Sequence, residues 1–472
     1  MSTAAGPAAY EWPFVRAGRE ARQLLRDTGE GLLRAGVPLL GIALTSFAAQ
    51  HLLTRLAASI APDNGPLGLA VLVLAITVRL VLLGLGIYVA AGAIRVDGRS
   101  VLLAGADLGH AEEGPREGQE GFGGLMKVAI VPMVVLYAAW NQVNWDIHKF
   151  MLAFYYEVQD RYDWDQPDKV VNFSNIDFQS GGWKSYIPYA IGIWVLKLVV
   201  DRIAERVRHT ALDLVVIALE CGWIVLAWLV VSPIVGFVGG WLRTRVLWVD
   251  WIGGAGRRLG ELLHLDLPDL VSRAASWLWQ LLVTVSTEIV WPLVWVALVG
   301  LLVGWVRADT DISVGRQHAR RSVRMLGRVL SSSTAGIREK FYPVVSLARA
   351  IWRAGPIPVL VIAVLHALLM WVFGLIRTVV LVKAVPEPMQ GPYFYDAWIS
   401  LVDAALTPVR TCFVVAAFAL VLRLVQQRGP ANPASPAGPR DDGQGPTTWG
   451  SIPPPRRTLN PLASEATGTT TA

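Results

Sequence analysis

Runs of apolar residues too long for the core of a soluble domain divide this chain. Two of them, LVVIALECGWIVLAWLVV and LVTVSTEIVWPLVWVALVG, stand within 211–306 and are joined by a connector rich in Trp and Arg. A helix needs ~20 mostly apolar residues to cross a hydrocarbon core ~30 Å thick. Lipid offers the backbone no hydrogen bonds, so a spanning segment must satisfy its own, as a helix does. The composition agrees: 54% of residues are hydrophobic and 17% charged, against ~25% charged in soluble domains. The expected fold class is an all-α membrane protein, a polytopic helical bundle of about eight transmembrane helices with interfacial amphipathic helices.

In chain order, residues 1–34 form an amphipathic N-terminal segment, with Leu24, Leu25, Leu32 and Leu33 among Arg16, Arg19, Arg22, Arg26 and Arg34. Such a segment can rest on anionic lipid head groups or simply orient the first span. Residues 35–140 hold helices 1–3, at 35–58, 66–94 and 125–140, with a Gly- and Glu-rich loop at 95–123. The apolar stripe of the third helix continues through Val143, Ile147, Phe150, Phe154 and Val158, which predicts a projection beyond the bilayer. Residues 141–185 form an extracytoplasmic aromatic and acidic segment. Helices 4–6 occupy 186–306, with Lys197 snorkelling from a short fourth helix and 238–275 as an interfacial connector. A basic cytoplasmic helical segment follows at 307–355, then helices 7 and 8 within 356–425. The tail, 426–472, is rich in Pro, Gly, Ser and Thr and is expected to be disordered.

With the N-terminus inside and eight alternating spans, most Lys and Arg fall on the cytoplasmic side. The exception is the connector, with Arg243, Arg245, Arg257, Arg258 and Arg273. Both termini are therefore expected in the cytoplasm. Arg exceeds Lys, and Ala, Gly and Val abound, which associates the chain with a bacterial cytoplasmic membrane. No cleavable signal pattern is read at the N-terminus. The net charge of +6 reflects basic loops, not nucleic-acid binding. Many of the 20 Trp sit at segment ends, as an interfacial aromatic belt requires. The two cysteines, Cys221 and Cys412, lie in different spans and imply neither a disulfide framework nor a metal site. No cofactor is expected.

Charged side chains inside spans are the candidate functional residues, because lipid tolerates them only with a partner or water. They are Arg79, Glu220, Glu288, Arg377, Asp403 and Arg410. Spans 7 and 8 form a hairpin with Arg377 and Asp403 toward the same end, so these two should meet. Glu220 and Glu288 share the pattern L-V-[VT]-x-x-x-E-x-x-W, at 214–223 and 282–291. Read as opposed segments, they would form an inverted repeat of the kind secondary transporters use. His366, well inside span 7, reads as a packed, hydrogen-bonded helix residue. Arg316, Arg320, Arg324 and Arg328 recur every four residues on one helical face, suited to anionic lipid head groups or an acidic protein partner. Asp160, Asp163, Asp165 and Asp168 lack the glycine and terminal Glu of a calcium loop.

Phosphate-loop, dinucleotide, serine-nucleophile and zinc motifs are missing from the sequence. The leading expectation is an interaction or assembly component of a bacterial envelope system, possible as an oligomer, working through its outer aromatic segment, basic helix and tail. The alternative is an ion- or proton-coupled transporter or channel using the intramembrane charges. A weaker alternative is an enzyme acting on lipid-linked substrates through the outer acids.

Overall fold

The computed structural model describes residues 12–104, 122–139, 142–161, 183–207, 210–243, 273, 276–278, 280–284, 286–303, 351, 354–384 and 392–428. The helices belong to one unit, Met1–Gln427; the second, Arg428–Ala472, lies outside the described residues except for Arg428. Six helices among the described residues are long and apolar enough to cross a membrane: Pro13–Ile60, Gly65–Ala93, Leu212–Val238, Ser276–Leu302, Pro356–Val380 and Ala397–Gln427. The protein is an all-α membrane protein; among the described residues its strands are Arg95–Val96 and Arg99–Ser100, which make one small hairpin.

The first helix, α1 (Pro13–Ile60), corrects the sequence reading. The N-terminal segment and the first span are one continuous helix of 48 residues, running through Pro38. Leu24, Asp27, Thr28, Gly31, Ala35, Leu39 and Ala43 are buried along it at steps of three and four, the spacing of one helical face. That face meets protein, not a leaflet surface: a Cβ on Gly31 would stand 2.7 Å from Ile94 Cγ1.

A four-residue turn leads to α2 (Gly65–Ala93), whose first turn is capped by Asn64 accepting from the Leu67 N–H at 3.1 Å. Gly68 permits the closest approach of the pair, since a Cβ there would meet Ala61 Cβ at 2.7 Å and the Ala57 carbonyl at 2.9 Å. Residues 95–100 read as part of a loop but pair as a hairpin. Asp97 (φ 50°) and Gly98 (φ 83°) supply the two left-handed positions of a tight turn.

The third span of the sequence reading is two helices, α3 (Phe122–Ala139) and α4 (Gln142–Arg161). α3 runs from Phe122, packed on Tyr88, to Tyr137, beside Arg79. α4 does not project clear of the bundle. Asp146 bonds Arg79, while Arg161 bonds Asp63 and the Ser59 carbonyl at the α1–α2 turn. At ~1.5 Å per residue Arg161 lies about 22 Å beyond Asp146 along α4, so α4 runs from mid-α2 back to the α1–α2 turn, packed chiefly on α1. The stripe of Val143, Ile147, Phe150, Phe154 and Val158 is buried against the bundle.

Next come α5 (Trp183–Arg206) and α6 (Thr210–Arg243), which pack on each other as a hairpin. A π-helical turn, Ser286–Val290, leads into α7 (Trp291–Leu302), where Pro292 stands in the first turn and cannot donate a backbone bond. The last two helices are α8 (Pro356–Ala384) and α9 (Pro392–Arg428).

The middle of the bundle is α9. Every residue from 411 to 422 is buried, so this helix is covered on all sides. Its lower end is tied to the first helix, with Arg423 donating to Asp27 at 2.5 Å and to the Arg95 carbonyl at 2.8 Å. α8, by contrast, exposes Leu360, Val364, Leu368, Trp371, Leu375 and Val379 along one stripe.

Candidate functional site

A polar assembly within the spans forms where α3 ends and α4 begins. Arg79, halfway along α2, donates to Asp146 at 2.9 Å and to the Tyr137 hydroxyl at 2.6 Å. The Tyr137 hydroxyl in turn donates to the other Asp146 oxygen. Gln50 of α1 adds a bond to Asp146 at 2.7 Å. Asp146 is only 2% exposed, and three donors surround its two oxygens, so its charge is compensated in a region with little water. Four helices are thereby held in register by one carboxylate.

α4 is fixed on its other sides as well. Trp228 of α6 donates its indole N–H to Asn144 at 3.3 Å, and Lys149 donates to Ser400 of α9 at 2.7 Å.

A cavity of about 420 Å³ opens beside this cluster. Side chains from α1, α2, α3, α4, α7, α8 and α9 line it. Among them are Arg79, Arg377, Asp403 and Arg410, four of the six intramembrane charges singled out by sequence. Arg377 and Asp403 form an ion pair across the α8–α9 hairpin, the contact expected of that hairpin. Both remain nearly half exposed, at 44% and 47% of their side chains, so this pair sits at an open part of the cavity. Arg410 lies one to two turns further along α9. Its guanidinium stands 5.4 Å from the centroid of the Trp295 ring, and no hydrogen bond or ion pair to it occurs among the described residues.

The remaining two charges stand apart from the cavity lining. Glu220 pairs with Lys197 at 2.7 Å, and the two side chains are 7% and 13% exposed. The lysine expected to snorkel thus turns inward to a carboxylate on the neighbouring helix. Each charge is compensated by the other where water is largely excluded. Glu288 lies half-buried in the π-helical turn, with no ion pair among the described residues. The two pattern-matched segments therefore differ in backbone: one is regular helix through Glu220, the other is interrupted at Glu288.

His366 is 2% exposed and tilted against Phe413, and neither ring nitrogen has a partner among the described residues. It is packed, but the hydrogen bond expected of it is missing there. Arg316, Arg320, Arg324 and Arg328 lie outside the described residues, as do Asp163, Asp165 and Asp168. Asp160 is exposed near the end of α4.

Asp146 is the residue the sequence reading missed. It falls three positions after Val143 and four before Phe150, hence on the buried stripe itself. An acid on an apolar helical face was the available signal. Gln50 carried none, being a polar residue near the end of a span.

Comparison with known protein families, with curated proteins and with solved structures finds no match to this chain.

Proposed function

We propose that the protein is a transporter or channel whose path runs through the cavity between α1, α2, α3, α4, α7, α8 and α9. The observation that carries this reading is the convergence of Arg79, Arg377, Asp403 and Arg410 on one cavity of about 420 Å³. Charges at membrane depth mark solute paths and binding sites when they face water, and ligand sites commonly enclose ~300–1,000 Å³. Interrupted helices near mid-membrane are a further hallmark of transporters, and α3 and α4 end and begin beside Arg79. We read α3–α4 together as one discontinuous crossing and α5 as another. With the six long apolar helices this makes about eight crossings, both termini on the cytoplasmic side of a bacterial cytoplasmic membrane.

Assembly through the outer aromatic segment (141–185), the basic helix (307–355) and the tail (426–472) is a proposal about segments that lie mostly outside the described residues. The enzyme reading rests on the outer acids, of which Asp160 is exposed near the end of α4 while Asp163, Asp165 and Asp168 lie outside the described residues.

Thiol accessibility tests the path. Thr407, on the cavity wall, is changed to cysteine in a background carrying C221A and C412A. A membrane-impermeant methanethiosulfonate is then applied to sealed vesicles of either orientation. Reaction from both faces is expected. Reaction from one face only, or from neither, would overturn a transmembrane path.

A further inference from the structure

Resting on that reading, we infer that the cavity takes an organic anion: a carboxylate or phosphate head on an apolar body. The charge of the lining is the first ground. Arg79, Lys149, Arg377 and Arg410 face the cavity, against Asp403 as lining carboxylate and Asp146 behind Arg79. Four cations to two carboxylates leaves the wall positive, in a medium where charge is weakly screened.

The second ground is Arg410. Arg79 has Asp146 and Arg377 has Asp403, but Arg410 has no ion pair or hydrogen bond among the described residues. Its contact is the face of Trp295, which attracts a cation without neutralising it. A guanidinium presents paired N–H groups at the spacing of carboxylate or phosphate oxygens, so an oxyanion supplies both the countercharge and the acceptors that Arg410 lacks among the described residues.

The third ground is the rest of the lining. Phe47, Leu83, Met133 and Phe373 make it apolar away from the arginines. A bare inorganic anion would leave that surface unfilled. An apolar body of aromatic size fills it and places its head against Arg410. Such a molecule comes either from solution or from the bilayer, as an anionic lipid whose head and upper chain enter the cavity. The chemistry is the same, and the experiment separates the sources.

Full-length protein carrying T407C is placed in nanodiscs of phosphatidylcholine and labelled with a neutral maleimide, with S46C on α1 as a second probe should T407C fail to fold. Benzoate is expected to slow labelling at least fivefold. Benzyltrimethylammonium, of similar bulk and opposite charge, is expected to leave the rate unchanged. R410Q should raise the benzoate concentration for half-protection at least tenfold. Protection by benzoate identifies a soluble anion. Slow labelling in phosphatidylglycerol discs without added solute, relieved by R410Q, identifies the lipid. Equal rates in all arms, or protection by the cation as strong as by benzoate, would overturn the inference. Two-sided access without anion protection would retain the path and remove the anion. Anion protection with one-sided access would retain the anion and remove the path.

Discussion

Arg79 on α2 and Asp146 on α4 meet at 2.9 Å, and through them the break between α3 and α4 is fixed at the depth of the arginine. Tyr137 and Gln50 complete the set, so the carboxylate is the common acceptor of three neighbouring helices. Asp146→Ala is expected to destabilise the protein by roughly 1.5–3 kcal/mol, because the part-buried Arg79 guanidinium and the Tyr137 hydroxyl lose their charged partner. Asp146→Asn, which keeps an acceptor, should lose less. The double variant R79M/D146L should recover most of the loss, since neither charge remains. Unfolding of the purified protein in mixed micelles measures all three. A D146A protein as stable as the parent would show that the cluster does not hold these helices.

The Lys197–Glu220 pair is sealed, in contrast to the charges on the cavity. K197M and E220Q should each destabilise, and a double-mutant cycle should give a coupling of about 0.5–3 kcal/mol. Because neither residue lines the cavity, labelling of T407C should stay within about twofold of the parent rate in folded double variants. A large change in labelling would mean that this pair communicates with the cavity.

Arg423 ties three segments together: its own helix, Asp27 on α1, and the Arg95 carbonyl at the hairpin. R423Q removes the ion pair and weakens both bonds. Hydrogen exchange should then accelerate at residues 95–100, more than at the α3–α4 break. Unchanged exchange at the hairpin would show that its own pairing suffices.

Gly68→Val tests the close contact between α1 and α2. The added carbon would lie within 3 Å of Ala61 and of the Ala57 carbonyl, so α2 must move away from α1. Overpacking of this kind costs about 1–3 kcal/mol. Gly18→Ala is the control: a Cβ there meets nothing within 4 Å, and replacing a mid-helix glycine should stabilise by about 0.5–1 kcal/mol. Both are read from the same unfolding curves. Equal effects at the two glycines would contradict the packing described for the α1–α2 pair.

The class of protein could be read from the sequence because the bilayer imposes a length and a polarity on each segment, and both are local properties. The hairpin pair of Arg377 and Asp403 was equally legible, since adjacent antiparallel helices bring fixed positions level with each other. Asp97 and Gly98 offered the turn signal of the small hairpin, which the surrounding glycines obscured.

Other features depend on which helices become neighbours, and no local pattern states that. The burial of α9 could not be read from apolarity, since the exposed α8 is the more apolar of the two and a lipid tail and a protein core favour the same apolar side chains. Lys197 chose Glu220 over water for the same reason: the choice was set by the face that α6 turned toward it. Sequence by itself determined that charges would stand at membrane depth and must be compensated there. Only the tertiary structure decided which found carboxylates, which came to line a cavity, and that Arg410 was left with an aromatic face instead of an acid.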